Sequence, residues 1–273
     1  MKRPVLYFFL FLVGIFAFIS IVNRRDRYKT YSVNVETIDL NSLTQIVPLD
    51  EEVVKPVLYT NVLGLSKLPV YEAKNKFIAA ILPAILIAKQ EIETTRTKIN
   101  VLHEKKTWDK SDSTFYSQIR GRYKAKDIGD LIARMGTLPN SIVLSQAAVE
   151  SGWGQSRFFL EGNNLFGVWS FNGNEPRMPT KSSRKSKVIY LRTYEDVSQS
   201  IIHYFEILGS AHAYQGLRRE RLHRKDPFEL LKYLKNYSER RTSYTNQLKA
   251  VILQNELTRY DRYRLDPEYL RED

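Results

Sequence analysis

QAAVESGWGQSRFFLEGNNLFG, residues 146–167, is the stretch on which the reading of this chain turns. It begins as the end of an apolar helix over 140–151. Pro139 suits that helix's first turn, and Gly152 suits its end, where positive φ is often required. Val143, Ala147 and Glu150 share one helix face by their i, i+4, i+7 spacing, so one carboxylate continues an otherwise apolar stripe. A helix C-terminus is an unfavourable place for a negative charge, because the helix dipole is negative there too. Trp153, Phe166 and Trp169 follow closely. A carboxyl desolvated by such neighbours has a raised pKa, and it suits general-acid chemistry near neutral pH.

Outward from this stretch the chain is mostly helical. A long helix is predicted over 71–106, where Ile78, Leu82, Ile85, Ala88, Ile92, Ile99 and Leu102 recur every three or four residues. Pro83 interrupts it, and Ile81–Ala88 is too short for a membrane span. One or two helices cover 113–135. Three more close the chain over 196–208, 227–236 and 243–260, the first two opened by Asp196 and Asp226 as caps. Residues 166–171 and 187–194 read as extended, with a turn at Asn172-Gly173-Asn174, and they predict a small β-hairpin lobe. Residues 27–70, polar with scattered Val, Leu and Pro, read as a tether of little regular structure. The fold class is therefore mostly α (α+β): a helical domain with a small β lobe.

Composition narrows the chemistry. Among 273 residues there is no cysteine, which excludes disulfides, thiolate metal sites and a cysteine nucleophile. His103, His203, His212 and His223 have no metal-ligand spacing, so no metal or other cofactor is expected. The net charge of +12 favours polyanionic surroundings. Its two basic clusters, Arg177–Arg192 and Arg218–Lys225, carry no nucleic-acid motif, and no nucleic-acid partner is expected. Residues 4–22 carry no charge and are just long enough to span a bilayer as an uncleaved signal anchor. The flank Asn23–Arg27 is more basic than Lys2 and Arg3, and by itself this would keep the body in the cytoplasm.

The motifs ESGWG and NNLFG at this spacing resemble the glucosaminidase domains of glycoside hydrolase family 73, peptidoglycan-cleaving enzymes of lysozyme-like fold. TYEDVSQSIIHYFEIL (193–208) and NYSERRTSYTNQL (236–248) extend the resemblance, which covers roughly 110–260. The AHAYQGLRR and YSER stretches, with the preceding long helix, bring the chain nearest to the Bax-type bacterial proteins within that family. The resemblance places the catalytic acid at Glu150 and the active-site tyrosine at Tyr237, with Tyr244 as second candidate. Trp153, Asn164 and Phe166 fall on positions that shape the cleft, and Trp169 joins them as a substrate-binding candidate. Many members carry a second acidic residue in a segment like Thr180–Val188. Here that segment is basic or polar, and Glu175 is the nearest upstream acid.

The resemblance implies an endo-β-N-acetylglucosaminidase acting on peptidoglycan glycan strands. Glu150 would protonate the leaving oxygen, and Glu175, if it takes part, would serve as a base for water. Such an enzyme works outside the cytoplasm. The expected layout is an inner-membrane anchor (1–26), a tether (27–70), a helical extension (71–109), the glucosaminidase domain (110–262) and a tail (263–273), with the body facing the periplasm. A non-catalytic wall-binding or scaffolding protein and a lytic transglycosylase, which needs one carboxylate, stay open as alternatives.

Overall fold

The structure, a computed structural model, describes residues 29–184, 187–224 and 226–273. The predicted membrane segment 4–22 lies outside these residues. Among the described residues no helix is long and apolar enough to cross a membrane.

The organising element is α1, Val70–Glu104. Every residue from Phe77 to Ala88 is buried, so this part of the helix is covered all round and lacks a wet face. Part of that cover comes from residues 29–68. They form the short strands β1 (Tyr31–Val33), β2 (Glu36–Asp39), β3 (Val53–Val54) and β4 (Val57–Thr60); Val54, Val57 and Leu58 of these strands, with Ile46 and Leu65 of two 3-10 turns, lie in the same apolar core as α1. The tether of little regular structure is thereby corrected. The segment escapes a reading by periodicity because its strands are two to four residues long, and two of their partners lie more than 200 residues away. β1 pairs antiparallel with β9 (Leu270–Glu272), and β3 pairs parallel with β8 (Arg264–Leu265), while β2 runs parallel to β4. The predicted tail is therefore built into the fold as two short strands joined by a 3-10 turn at Pro267–Tyr269, and Leu265 is buried.

Around α1 pack α2 (Lys110–Tyr123), α3 (Ile128–Arg134), α4 (Asn140–Ser151) and α6 (Val197–Ser210); α5 (Arg157–Gly162) joins α4 to the β lobe. The chain then runs through α7 (Gln215–Glu220), α8 (Pro227–Leu231) and α9 (Thr242–Gln254). Aspartates open α2, α3, α6 and α8: Asp109, Asp127, Asp196 and Asp226 each accept from a backbone N–H of the first turn. The predicted terminal helices end early. Helix 227–236 becomes α8 plus a 3-10 turn at Lys232–Leu234, and 243–260 becomes α9 plus a 3-10 stretch at Leu257–Arg262.

The β lobe has three strands rather than a two-stranded hairpin. β5 (Trp169–Ser170), β7 (Lys187–Arg192) and β6 (Arg177–Arg184) lie in that order, all antiparallel. β6 is mostly polar and basic in sequence, so it shows no apolar alternation to read.

Two arginines of the second basic cluster, Arg218 and Arg221, turn inward. Arg218 donates to the carbonyls of Leu208 (3.0 Å) and Ala211 (2.7 Å), and Arg134 donates to those of Gly209 and Ser210. Together they satisfy the orphan carbonyls at the end of α6. Arg221 does the same for Arg134 and Gly136, at 2.7 and 2.8 Å, just beyond α3. Arg224 is paired with Glu220 and Glu229. Part of the charge that reads in sequence as an anion-binding face thus serves helix ends and neighbouring acids, while Arg219 stays exposed.

Candidate active site

Glu150 sits in the last turn of α4, at the base of a cleft of about 600 Å³ between the helical body and the β lobe. Three features hold the helix that carries it. Its first turn has no side-chain cap of its own, and Asp261, from the 3-10 stretch Leu257–Arg262, accepts instead from the Ser141 backbone N–H (2.7 Å) and hydroxyl (2.8 Å). Lys89 of α1 donates to Asn140 Oδ1 (2.7 Å) and the Leu138 carbonyl (3.1 Å). At the other end Gly152 takes φ +59°, and Gly154, at φ +79°, lets the turn lie on α1, where a Cβ would come within 3.0 Å of Phe77 and Leu65. The glycines of ESGWG thus set how the acid-bearing turn meets the long helix.

Burial raises the Glu150 carboxyl above the ordinary glutamate range; a hydrogen bond from Tyr244 and the charge of Arg240 oppose that rise. Behind it runs a directed chain of hydrogen bonds. Tyr204 Oη donates to Gln146 Oε1 (2.6 Å), Gln146 Nε2 donates to Tyr244 Oη (3.0 Å), and Tyr244 donates onward to Glu150. Gln146 is fully buried between the two tyrosines, its amide accepting from one and donating to the other. Tyr237 stacks on Tyr244 (centroids 5.7 Å apart, planes at 7°), and Phe166 stacks on Tyr204 at 4.2 Å. The wall beside the carboxyl is thus a rigid aromatic layer.

The opposite wall belongs to the β lobe. Trp169, Phe171, Asn172, Glu175 and Arg192 line it, with His203 and Ile207 of α6 at its foot. Glu175 forms an ion pair with Arg192, which holds its carboxyl far below the usual range, at about 2. The cleft therefore presents two carboxyl groups whose surroundings push their pKa values apart, the pattern that separates an acid from an anion at neutral pH.

The predicted site residues divide. Glu150, Glu175, Tyr237, Phe166 and Trp169 line one cleft. Tyr244 is fully buried and touches Glu150 from behind, so it orients the acid and is not open to a substrate. Trp153 lies elsewhere: its ring meets Phe77 edge-on at 5.6 Å, with the Lys74 ammonium 4.8 Å from its centre. Asn164 is buried and builds its own turn, donating to the carbonyls of Val168 (3.0 Å) and Arg192 (2.8 Å) and accepting from the Val168 N–H. Both are corrected as cleft residues; a turn motif rich in Trp and Asn reads alike whether it feeds a cleft or a core. Arg192, His203, Tyr214 and Phe171 also line the cleft; His203 and Tyr214 lie in stretches that carry the resemblance and Arg192 in a basic cluster, but nothing in their local pattern marks them as site residues.

The glucosaminidase family, described as mannosyl-glycoprotein endo-beta-N-acetylglucosaminidase, matches residues 125–257. Residues 125–257 are a glucosaminidase domain. This domain, a glycoside hydrolase, contains α4, the β lobe and both cleft carboxylates. Protein bax of Escherichia coli (strain K12) is 28% identical over 67% of this chain and 70% of its own length. Among solved structures, the catalytic domain of the autolysin Auto from Listeria monocytogenes is 23% identical, covering 59% of this chain and 93% of that one, with a TM-score of 0.38. A peptidoglycan hydrolase from Sphingomonas sp. A1 is also 23% identical, covering 52% and 92%, with a TM-score of 0.38. Lys89 and Asp261, which hold the start of α4, both lie outside the glucosaminidase match.

Proposed function

We propose that this protein is a peptidoglycan hydrolase of lysozyme-like fold that cuts β-1,4 bonds of the glycan strand as an endo-β-N-acetylglucosaminidase, with Glu150 as general acid. The observation that carries this reading is a desolvated carboxyl, oriented by Tyr244, in a cleft that also holds an anionic carboxylate. Cleavage needs a proton on the leaving oxygen. Glu150 keeps its proton to higher pH than an ordinary glutamate and faces the space where that oxygen would lie. Glu175 is the anion of the pair. Its tie to Arg192 makes it a weak Brønsted base, so its main contribution is electrostatic: it stabilises oxocarbenium-like charge and aligns water on the ring's other face. Trp169 supplies an apolar surface against which a sugar ring can lie.

The apolar segment 4–22 anchors the protein in the inner membrane in this reading, with the described body on the periplasmic side. The test is digestion of purified peptidoglycan by residues 29–273, beside Glu150→Gln, with fragments read by mass spectrometry. New N-acetylglucosamine reducing ends from the wild type alone are expected. Equal release by Glu150→Gln removes the acid from the mechanism, and anhydro-sugar ends convert the reading to a lytic transglycosylase. Glycan binding with no cleavage by either protein leaves a wall-binding scaffold.

A further inference from the structure

Arg192 ends β7 with its guanidinium shared among three partners. One nitrogen faces the Glu175 carboxylate, and Nη1 lies 3.1 Å from His203 Nδ1 on α6. Tyr194, two residues on, also reaches Arg192, and its hydroxyl lies 2.8 Å from the same His203 nitrogen. A guanidinium can only donate, so the imidazole nitrogen it meets must accept. These partners assign the neutral ring its proton on Nε2. Burial and the Arg192 charge push His203 down to about 4, which keeps the ring an acceptor at neutral pH.

We infer that Arg192 is the positioning residue for Glu175: gripped from behind by His203 and Tyr194, it fixes the second carboxylate in the cleft wall opposite Glu150. This rests on the function proposed above, and it names the residue that makes a β-lobe carboxylate usable although it lies upstream of a strand with no acidic residue. The other groups facing this cluster are few. Ser170, at the end of β5, and the Asn172 backbone hydrogen-bond to Glu175. From α6, Glu206 faces Arg192 at longer range, and it has its own partner, Arg122 of α2, at 3.6 Å; Glu91 of α1 interacts in turn with Glu206. Burial raises both Glu206 and Glu91, which lessens their pull on Arg192. The Arg192 and Glu175 side chains keep about a third and a seventh of their exposure, 33% and 14%. The pair is part-solvated, and Gln at position 192 keeps a hydrogen-bond donor while removing the charge, so Arg192→Gln is the mild probe of it.

The experiment has two parts, both on residues 29–273. First, carbon-13 carboxyl NMR follows Glu175 in the folded wild type, assigned by comparison with Glu175→Gln. Second, pH profiles of kcat/KM on solubilised glycan strands compare wild type with Arg192→Gln. The Glu175 carboxyl is expected to stay ionised to the lowest pH at which the fold persists, and wild-type activity to show no acid limb above it. In Arg192→Gln the carboxyl should titrate near the ordinary glutamate value of about 4.3, and an acid limb should appear there. kcat should fall roughly tenfold or more while KM moves little, because the lost group acts on the transition state. The alkaline limb, set by Glu150, should be common to both proteins. An ordinary titration of Glu175 in the wild type, or identical acid limbs in the two proteins, overturns the inference. If Arg192→Gln does not fold, the wild-type titration alone decides. If the wild type cleaves nothing, the function proposed above fails, and the titration still reports whether Arg192 governs Glu175.

Discussion

At the scale of single residues the site is a contrast between two carboxyl groups. Glu150 is desolvated, and its proton is retained above the ordinary range; Glu175 is ion-paired, and its proton is lost well below it. The contrast has a cost in stability with a definite sign. Because the folded-state pKa of Glu150 exceeds the unfolded value, the native state holds a proton that the unfolded chain has released between about pH 4.5 and the raised value. Stability attributable to Glu150 is therefore fully present at acid pH and lost as pH rises through that window. Glu150→Gln removes the charge and the slope with it. The variant should melt roughly 2–4 °C above wild type at pH 7 for each kcal/mol recovered, and at the same temperature near pH 4. Thermal melts at the two pH values check this, and a variant equally or less stable at pH 7 contradicts the desolvation of Glu150. Activity should fall with rising pH through the same ionisation, since the deprotonated acid has nothing to give.

At the scale of elements, α4 is held by residues remote in sequence. Asp261 does the work of an N-cap from 120 residues away, and it is also the counter-charge that faces Lys89, whose ammonium burial pushes down to about 8. Asp261→Ala uncaps the helix, at about 1–2 kcal/mol for the cap alone. It also leaves a buried ammonium facing no carboxylate, which adds to the loss at neutral pH. Above pH 8 that ammonium gives up its proton more readily in the folded than in the unfolded chain, so the deficit of Asp261→Ala should shrink from pH 7 to pH 9.5. Melting curves at both values decide it; a deficit independent of pH would mean that Lys89 and Asp261 are not coupled. Asp261→Asn, which keeps an acceptor for Ser141, should lose less than Asp261→Ala. None of this could be read from the 140–151 segment, where Pro139 occupies the capping position and supplies no side-chain acceptor.

At the scale of the whole molecule, one apolar core joins residues of the first strands, α1, the glucosaminidase domain and the C-terminal strands. Residues 29–273 should therefore unfold in a single cooperative transition followed alike by circular dichroism and tryptophan fluorescence. Two separated transitions would show that the N-terminal segment folds apart from the rest. Removing residues 264–273 deletes the partners of β1 and β3 and uncovers the space filled by Leu265. The truncated chain should lose several kcal/mol, on the order of one large core deletion or more, and melt well below the parent.

What the sequence determined by itself was local. The caps at Asp196 and Asp226, the helix carrying Glu150, the positive φ of Gly152 and the family resemblance all rest on residues within a few turns of each other, where spacing translates directly into geometry. The cleft was legible to the same depth: Glu150, Tyr237, Phe166 and Trp169 stand in or near motifs. The tertiary structure alone decided what depends on residues far apart. It sent Trp153 and Asn164 inward, made Tyr244 the partner of Glu150, turned the arginines of 218–224 onto helix ends and neighbouring acids, and brought Arg192 and His203 behind Glu175. It also drew short strands out of 31–60 and 264–272. An isolated strand of two or three residues has no stability and no readable period. It exists only because a partner on the far side of the chain supplies its hydrogen bonds and the core supplies the burial, and neither is encoded near it.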